Sequence, residues 1–207
     1  MATHPRTLEV KTLEEFLRWS RIDEKPYLEY IDGRIEVKVS PRGKHSLLTI
    51  RITDCMNRLA EPAGPGLALV ELRCTFAGRS IILDVVYFRA DHVELDADGE
   101  IANAFNRPPD IHVEIIAPEQ SVRKATAKLQ HSAAHGCEHG LLIDPERKTI
   151  DVFRPGTPVG RLSAPEALVH GESILPGFEV SVAEVFGWLR PRRLPTNPPS
   201  GPGAPPT

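Results

Sequence analysis

The most informative run of hydrophobic and polar positions lies at residues 111–116, where aliphatic and polar side chains alternate. This period of two predicts a β-strand, and the proline at position 118 marks its end. His112 and Glu114 fall on one face with Ile116, whereas the other face is wholly aliphatic. A carboxylate inside a sheet costs free energy unless it is paired or binds a metal. Glu114 is therefore expected to have a cationic partner.

A second predicted strand, residues 80–88, is apolar apart from its first residue and one acid, Asp84. If the two strands are neighbours, the spacing of about 4.8 Å between strands brings Asp84 and Glu114 within reach of one cation. Two carboxylates this close repel, and one takes up a proton unless positive charge lies between them. Mg²⁺, or Mn²⁺ in its place, takes oxygen ligands and is often held by one or two carboxylates. We therefore expect Asp84 and Glu114 to be metal ligands.

The segment after the Glu114 strand has the periodicity of an amphipathic helix. Its apolar stripe is formed by Val122, Ala125, Leu129 and Ala133. At 3.6 residues per turn, Lys128 falls roughly 100° from the centre of this stripe and Lys124 roughly 140°. Lys128 can therefore pack its stem and turn its amine inward. An ammonium beside a metal-held water lowers the pKa of that water and stabilises charge on a phosphate, which is the chemistry of a phosphodiester hydrolase.

The remaining pattern predicts an α/β fold, with a mixed, mostly antiparallel central sheet built of hairpins and flanked by helices. Turn signals such as Asp32-Gly33 and Gly78 separate the strands of the hairpins. A capping box formed by Thr12 and Glu15 begins the first helix. The predicted helices are 12–20, 43–59, the segment from Gln120, and 180–189; the predicted hairpins are 27–39, 67–88 and 138–153. Residues 1–189 are expected to form one domain, and the proline-rich residues 190–207 a disordered tail.

Two polar residues allow more than one interpretation. Glu29 lies on the first strand of the first hairpin, where it is either an exposed glutamate or a third carboxylate directed at the metal. His45, near the start of the second helix, either contacts a substrate phosphate and orders the site or is a hydrogen-bonded part of the scaffold. The pattern of residues by itself leaves both choices open.

Composition limits the classes of function. The net charge of −3 does not by itself indicate nucleic-acid binding, although local basic patches can serve. Three widely spaced cysteines fit a reducing compartment, and we expect a cytoplasmic protein because no signal peptide or membrane span is evident. There is no P-loop, no dinucleotide-binding glycine motif and no nucleophile elbow, which leaves nucleotide-binding and serine-hydrolase functions without support.

Short motifs run through the chain in a fixed order. They are Glu29 with Asp32-Gly33, Ser40-Pro41 with His45, Asp84-Val85, Pro109-Asp110, Val113-Glu114-Ile115, Pro118, Lys128-Leu129, Gly136, Glu138 and Asp144-Pro145. From about Leu13 to Leu189 this order and spacing resemble the Uma family of putative restriction endonucleases, within the PD-(D/E)xK nuclease superfamily. The resemblance implies a restriction-endonuclease-like fold and a catalytic set of Glu29, Asp84, Glu114 and Lys128.

The chain departs from the family pattern at several places that do not carry charge. Leu83, Ala117 and Ser132 replace a usual proline, serine and tyrosine, and His139-Gly140 replace Tyr-Trp. These changes concern packing and substrate shape more than chemistry. In the parent superfamily a lysine lies two residues after the glutamate, where this chain has Ile116. The resemblance therefore implies that Lys128 supplies the amine from the helix.

The leading functional hypothesis is a Mg²⁺-dependent endonuclease that acts on DNA, and a homodimer is possible because cutting both strands needs two active centres. In this hypothesis Asp84 and Glu114 bind the ion, Glu29 assists and Lys128 polarises the nucleophile. The alternative is a non-catalytic module that binds nucleic acid or protein and keeps the nuclease fold. The same charged residues then form a structural ion pair.

Overall fold

The computed structural model of the chain describes residues 12–60, 64, 66–118, 120–171 and 174–190. Four α-helices lie in these ranges: α1 (Leu13–Leu17), α2 (Gly43–Ala60), α3 (Val122–Ala134) and α4 (Val182–Gly187). The predicted capping box is present, since Thr12 and Glu15 exchange side-chain to backbone hydrogen bonds at the start of α1. None of the helices in this part of the chain is both long enough and apolar enough to cross a bilayer.

The described strands form one large mixed sheet of nine strands and a separate two-stranded ribbon. The large sheet has the order β2-β1-β4-β6-β7-β8-β9, with β3 on the other edge of β4 and β5 beside β3. The pair β6–β7 and the pair β3–β5 are parallel, and the rest are antiparallel. The strands are β1 (Leu28–Ile31), β2 (Arg34–Val37), β3 (Gly66–Phe76), β4 (Arg79–Arg89), β5 (Ala104–Phe105), β6 (Ile111–Ile115), β7 (His139–Asp144), β8 (Thr149–Phe153), β9 (Gly160–Leu162), β10 (Leu168–His170) and β11 (Glu179–Ser181).

One edge of β4 changes its partner partway along, and this creates a fork in the sheet. Near its start Ser80 pairs with Tyr30 of β1, whereas from Val85 onward the strand pairs with β6, with Val85 opposite Val113. The other edge is paired with β3. Between the two pairings, Ile82 is paired with Arg73 of β3, but the described residues supply no strand partner for it on the β1/β6 edge. The fork is therefore an opening in the sheet that side chains can fill.

The helices cover the two faces of the sheet. Apolar residues of α2 and α4 pack on the face that carries Val113 and Ile115, in the largest hydrophobic core. Ala125 and Leu129 of α3 pack on the opposite face, against β7 and β8. Because side chains alternate along a strand, Glu114 lies on the α3 face. The helix that carries Lys128 thus covers the face that carries Glu114.

These observations confirm the predicted α/β class and the mixed sheet of hairpins flanked by helices. The hairpins, α2 and the Glu114 strand lie within a few residues of the predicted bounds, and the last helix is shorter than predicted. The predicted tail, residues 190–207, lies outside the described residues apart from Arg190.

Candidate active site

The β1–β2 hairpin contributes a carboxylate and an amine on one face. Its two-residue turn fixes the register, so that Glu29 is opposite Glu36, and the pairing continues with a hydrogen bond of 2.9 Å from the Lys38 amide to the Tyr27 carbonyl. By alternation, Lys38 shares the face of Glu36 and hence of Glu29. Both Glu29 and Lys38 point into the fork, where Glu29 is only 3% exposed.

Asp84 lies one residue before the first β4–β6 pair, at the fork, and is 1% exposed. Its Oδ1 accepts a hydrogen bond of 2.6 Å from the Lys38 amine. Its Oδ2 accepts one of 2.9 Å from the Ile115 backbone amide and lies 3.0 Å from His45 Nε2. The carboxylate thus ties β4, β6, the end of β2 and the start of α2 together.

Glu114 is fully buried and only partly satisfied. Its Oε1 lies 3.0 Å from His112 Nε2, and the other ring nitrogen of His112 lies 2.9 Å from the Ser132 hydroxyl of α3. The described residues give its Oε2 no hydrogen-bond partner. A buried carboxylate oxygen without a partner is costly, so Glu114 Oε2 is a candidate ligand atom.

Lys128 extends from α3 to the same opening and is 6% exposed. Its amine donates to Glu29 Oε1 at 2.6 Å and to the Ile82 carbonyl at 3.2 Å, and it lies 3.9 Å from Glu114 Oε1. The Ile82 amide donates to Glu29 at 2.8 Å, and the Lys38 amine donates to the Ile82 carbonyl at 3.0 Å. Side chains of the site therefore satisfy the backbone groups of Ile82 on the edge where β4 has no neighbouring strand.

The electrostatics of the cluster are dominated by two amines among three carboxyl groups. Burial disfavours the charged Lys38 amine, but the attraction of Asp84, Glu114 and Glu29 outweighs it and raises the pKa of Lys38 above its usual value. Burial also disfavours the charged form of Asp84, yet Lys38 and His45 hold the pKa of Asp84 well below its usual range. Lys38 and Asp84 thus form a buried ion pair across a broad range of pH.

All four predicted site residues, Glu29, Asp84, Glu114 and Lys128, meet at the fork. Two further residues of the cluster, Lys38 and His112, were not predicted from the sequence. Lys38 had a signal in the sequence, because the Asp32-Gly33 turn fixes a register in which it shares the inward face of Glu29. The part played by His112 depends on Ser132 in the next helix, which only the packed structure brings near.

The carboxylate oxygens of the cluster are the type of donor atom that a hard divalent cation binds, although they are not arranged as a complete coordination sphere. Oxygen donors of Asp84 and Glu114 are what Mg²⁺ and Mn²⁺ bind, and the unpartnered Glu114 Oε2 is available for a cation. Within the described ranges no group of three or more histidine, cysteine, aspartate and glutamate side chains is placed to hold a metal ion. Asp84 already has both oxygens engaged, one of them by Lys38.

A cleft of about 160 Å³ leads to the cluster. Glu29, Lys38 and Lys128 line its inner part. Glu36 of β2 and Lys124 of α3 also line it and form an ion pair of 2.8 Å that connects the two sides. The cluster can therefore be reached from solvent between the hairpin and α3.

Comparisons with known proteins bear on the family and the fold. The model of the Uma2 family, described as a putative restriction endonuclease, matches residues 13–183. The crystal structure of a putative nuclease belonging to DUF820, from Anabaena variabilis, is 36% identical in sequence with a TM-score of 0.82. The match covers 86% of this chain and 99% of that one. No curated protein sequence matches significantly. The resemblance drawn from the motifs is confirmed, and the chain belongs to the Uma2 family of putative restriction endonucleases.

Proposed function

We propose that the protein is an endonuclease that hydrolyses DNA with Mg²⁺ or Mn²⁺ bound by Asp84 and Glu114. The observation that carries this proposal is the convergence, at one opening in the sheet, of three carboxylates and the Lys128 amine, with Glu114 Oε2 left unpartnered. A bound divalent ion supplies Lewis-acid activation of water and stabilises charge on the phosphate.

The chain's own residues have distinct tasks in this proposal. His112, anchored by Ser132, holds Glu114 in one orientation, and the Ile115 amide with His45 does so for Asp84. The Lys128 amine, close to Glu29 and Glu114, stabilises negative charge that develops on the phosphate. Glu29 keeps that amine in place and helps to orient the attacking water.

The test is a nicking assay on supercoiled, linear duplex, single-stranded and branched DNA with Mg²⁺ or Mn²⁺. Asp84→Asn and Glu114→Gln should reduce cleavage to the level without enzyme, while both variants remain folded by circular dichroism. Glu36→Gln is the matched control, because it removes a carboxylate at the cleft without touching the cluster, and it should keep most of the activity. Cleavage by either cluster variant at the wild-type rate would refute the assigned roles.

We also propose a homodimer and a cytoplasmic location. A homodimer would place two centres on the two strands of a duplex, and sedimentation with and without DNA measures this. A cytoplasmic location is supported by the three cysteines, Cys55, Cys74 and Cys137, which are free thiols in the structure.

A second candidate is a non-catalytic module that binds nucleic acid or protein. The observation that favours it is the pairing of the amines, Lys38 with Asp84 and Lys128 with Glu29, which satisfies much of the cluster without metal. Titration calorimetry with Mn²⁺ distinguishes the two functions. Uptake of Mn²⁺ that is lost in Asp84→Asn supports the nuclease, and absence of uptake by the wild-type protein supports the module.

A further inference from the structure

Lys38 occupies a position that neither the motifs nor the family match assigns. It follows the last residue of the edge strand β2, and its side chain is only 7% exposed. Its amine donates two hydrogen bonds, to Asp84 Oδ1 at 2.6 Å and to the Ile82 carbonyl at 3.0 Å. The amine also experiences the attraction of Glu29 and Glu114.

This amine lies where positive charge is most needed. The carboxylates around it would repel each other without a cation, and Lys38 supplies that cation from within the chain. A divalent ion bound by Asp84 would lie close to the ammonium group, and like charges at a few ångströms in a buried site repel strongly. The amine on Oδ1 and a metal on Asp84 therefore compete with each other.

We propose that Lys38 is a built-in counter-ion that holds the metal-free site together and must leave Asp84 before a divalent ion binds. This inference rests on the proposed metal-dependent function. It names the group that competes with the metal, and it predicts that Lys38 weakens metal binding.

Lys38, rather than Lys128, has the geometry for this role. Lys128 makes its short contact with Glu29 and lies 3.9 Å from Glu114, so it leaves Asp84 Oδ1 to Lys38. The Lys38 side chain can also move away from Asp84, because Lys38 lines the cleft together with its neighbours Val37 and Val39, which are 59% and 43% exposed. A long flexible stem lets the amine move from Asp84 into this cleft while the backbone stays in place.

Displacement of the Lys38 amine costs free energy, and this cost weakens the apparent affinity for the metal. If only the fraction of molecules with Lys38 displaced can bind metal, the apparent dissociation constant is the intrinsic one divided by that fraction. Removal of the amine raises this fraction towards one. The wild-type protein should therefore bind Mn²⁺ more weakly than a variant that lacks the ammonium group.

The experiment is titration calorimetry of the full chain with Mn²⁺, after removal of metal with EDTA, together with thermal melting. Lys38→Met removes the amine, whereas Lys38→Gln keeps a hydrogen-bond donor and removes the charge. Lys124→Met is the matched control, because it removes a lysine from the same cleft that is 65% exposed and paired with Glu36 rather than Asp84. Glu36 and Lys124 lie outside the cluster, so this control measures the general effect of charge.

Both Lys38 variants should bind Mn²⁺ at least about tenfold more tightly than wild type, a change of roughly 1.4 kcal/mol. Their metal-free melting temperatures should fall, because Asp84 then keeps a buried charge with fewer partners. Mn²⁺ should raise these melting temperatures more than it does for wild type. Lys124→Met should change the affinity by less than about threefold, because exposed charges are screened.

The outcomes separate this inference from the proposed function. Equal or weaker Mn²⁺ binding by the folded Lys38 variants, with wild-type binding intact, overturns the inference and leaves the nuclease proposal standing. If wild type and the Lys38 variants alike take up no Mn²⁺, both fall. If the variants unfold without metal, refolding on addition of Mn²⁺ supports the role of Lys38, and failure to refold contradicts it.

Discussion

The ion pair between Lys128 and Glu29 offers a test of the site that does not depend on catalysis. Lys128→Met removes the amine and leaves the Glu29 carboxylate buried, with the Ile82 amide as its remaining contact in the cluster. Removal of one partner of a buried ion pair costs about 3–5 kcal/mol. For a domain with roughly 5–15 kcal/mol of stability, this is a large and measurable loss.

The second substitution, Glu29→Gln, should rescue the first. Glutamine is neutral and retains a carbonyl oxygen for the Ile82 amide, while Lys38 still donates to the Ile82 carbonyl. The double variant therefore leaves no unpaired charge at position 29 and no unpaired backbone group at Ile82. We expect it to be about 2 kcal/mol or more stable than the sum of the single losses predicts, within the range of measured pair couplings.

The assay is urea unfolding of the four proteins in metal-free buffer, followed by circular dichroism and fluorescence. Linear extrapolation yields the free energies, and equal slopes show that the denatured states are comparable. Additive losses, with the double variant at the sum of the two single variants, would show that Lys128 and Glu29 do not interact as the distance of 2.6 Å implies.

Three further predictions follow from other parts of the structure. Arg73 is 4% exposed and donates hydrogen bonds to Asp23, Ser80 and two backbone carbonyls. Arg73→Met should therefore lower the free energy of unfolding by about 3–5 kcal/mol. Substitution of the exposed Arg21 by Met should change it by less than about 1 kcal/mol, and urea titration measures both. Asp110, of the Pro109-Asp110 motif, accepts hydrogen bonds from Arg89 at the end of β4 remote from the fork, so Asp110→Asn should cost about 3 kcal/mol of stability and leave Mn²⁺ affinity unchanged by calorimetry. Burial lowers the pKa of His131 from 6.5 to about 4, so between these pH values the unfolded chain binds a proton that the folded protein does not bind. The free energy of unfolding should therefore fall as the pH drops from 6.5 to 4. His131→Gln should make the urea midpoint less dependent on pH in this range, and an unchanged dependence would contradict this cause.

Several parts of the site followed from local chemistry alone. Alternation placed Glu114 on a buried face, and the single acid in an apolar strand singled out Asp84, because a charge among aliphatic residues needs a partner. The helical period placed Lys128 at the border of the apolar stripe and Lys124 outside it. The structure agrees, with Lys128 6% exposed and the side chain of Lys124 65% exposed.

The choice between alternatives required the folded chain. The pattern left Glu29 either exposed or inward, and its 3% exposure and contact with Lys128 show that it is inward. His45 was either scaffold or a site residue, and the distance of 3.0 Å from its Nε2 to Asp84 places it beside the candidate site. Both contacts join residues about 40 or more positions apart, and periodicity within one element carries no information about such pairs.

The sequence by itself determined that Asp84, Glu114 and Lys128 carry charge into the interior and which local elements carry them, because burial and backbone period act over a few residues. Only the tertiary structure decided where β4 exchanges β1 for β6. That exchange leaves Ile82 without a strand partner on the fork side, where the amines of Lys38 and Lys128 both donate to its carbonyl. The candidate centre exists because long-range strand pairing leaves an opening there, and pairing between distant strands is not encoded in the period of any one of them.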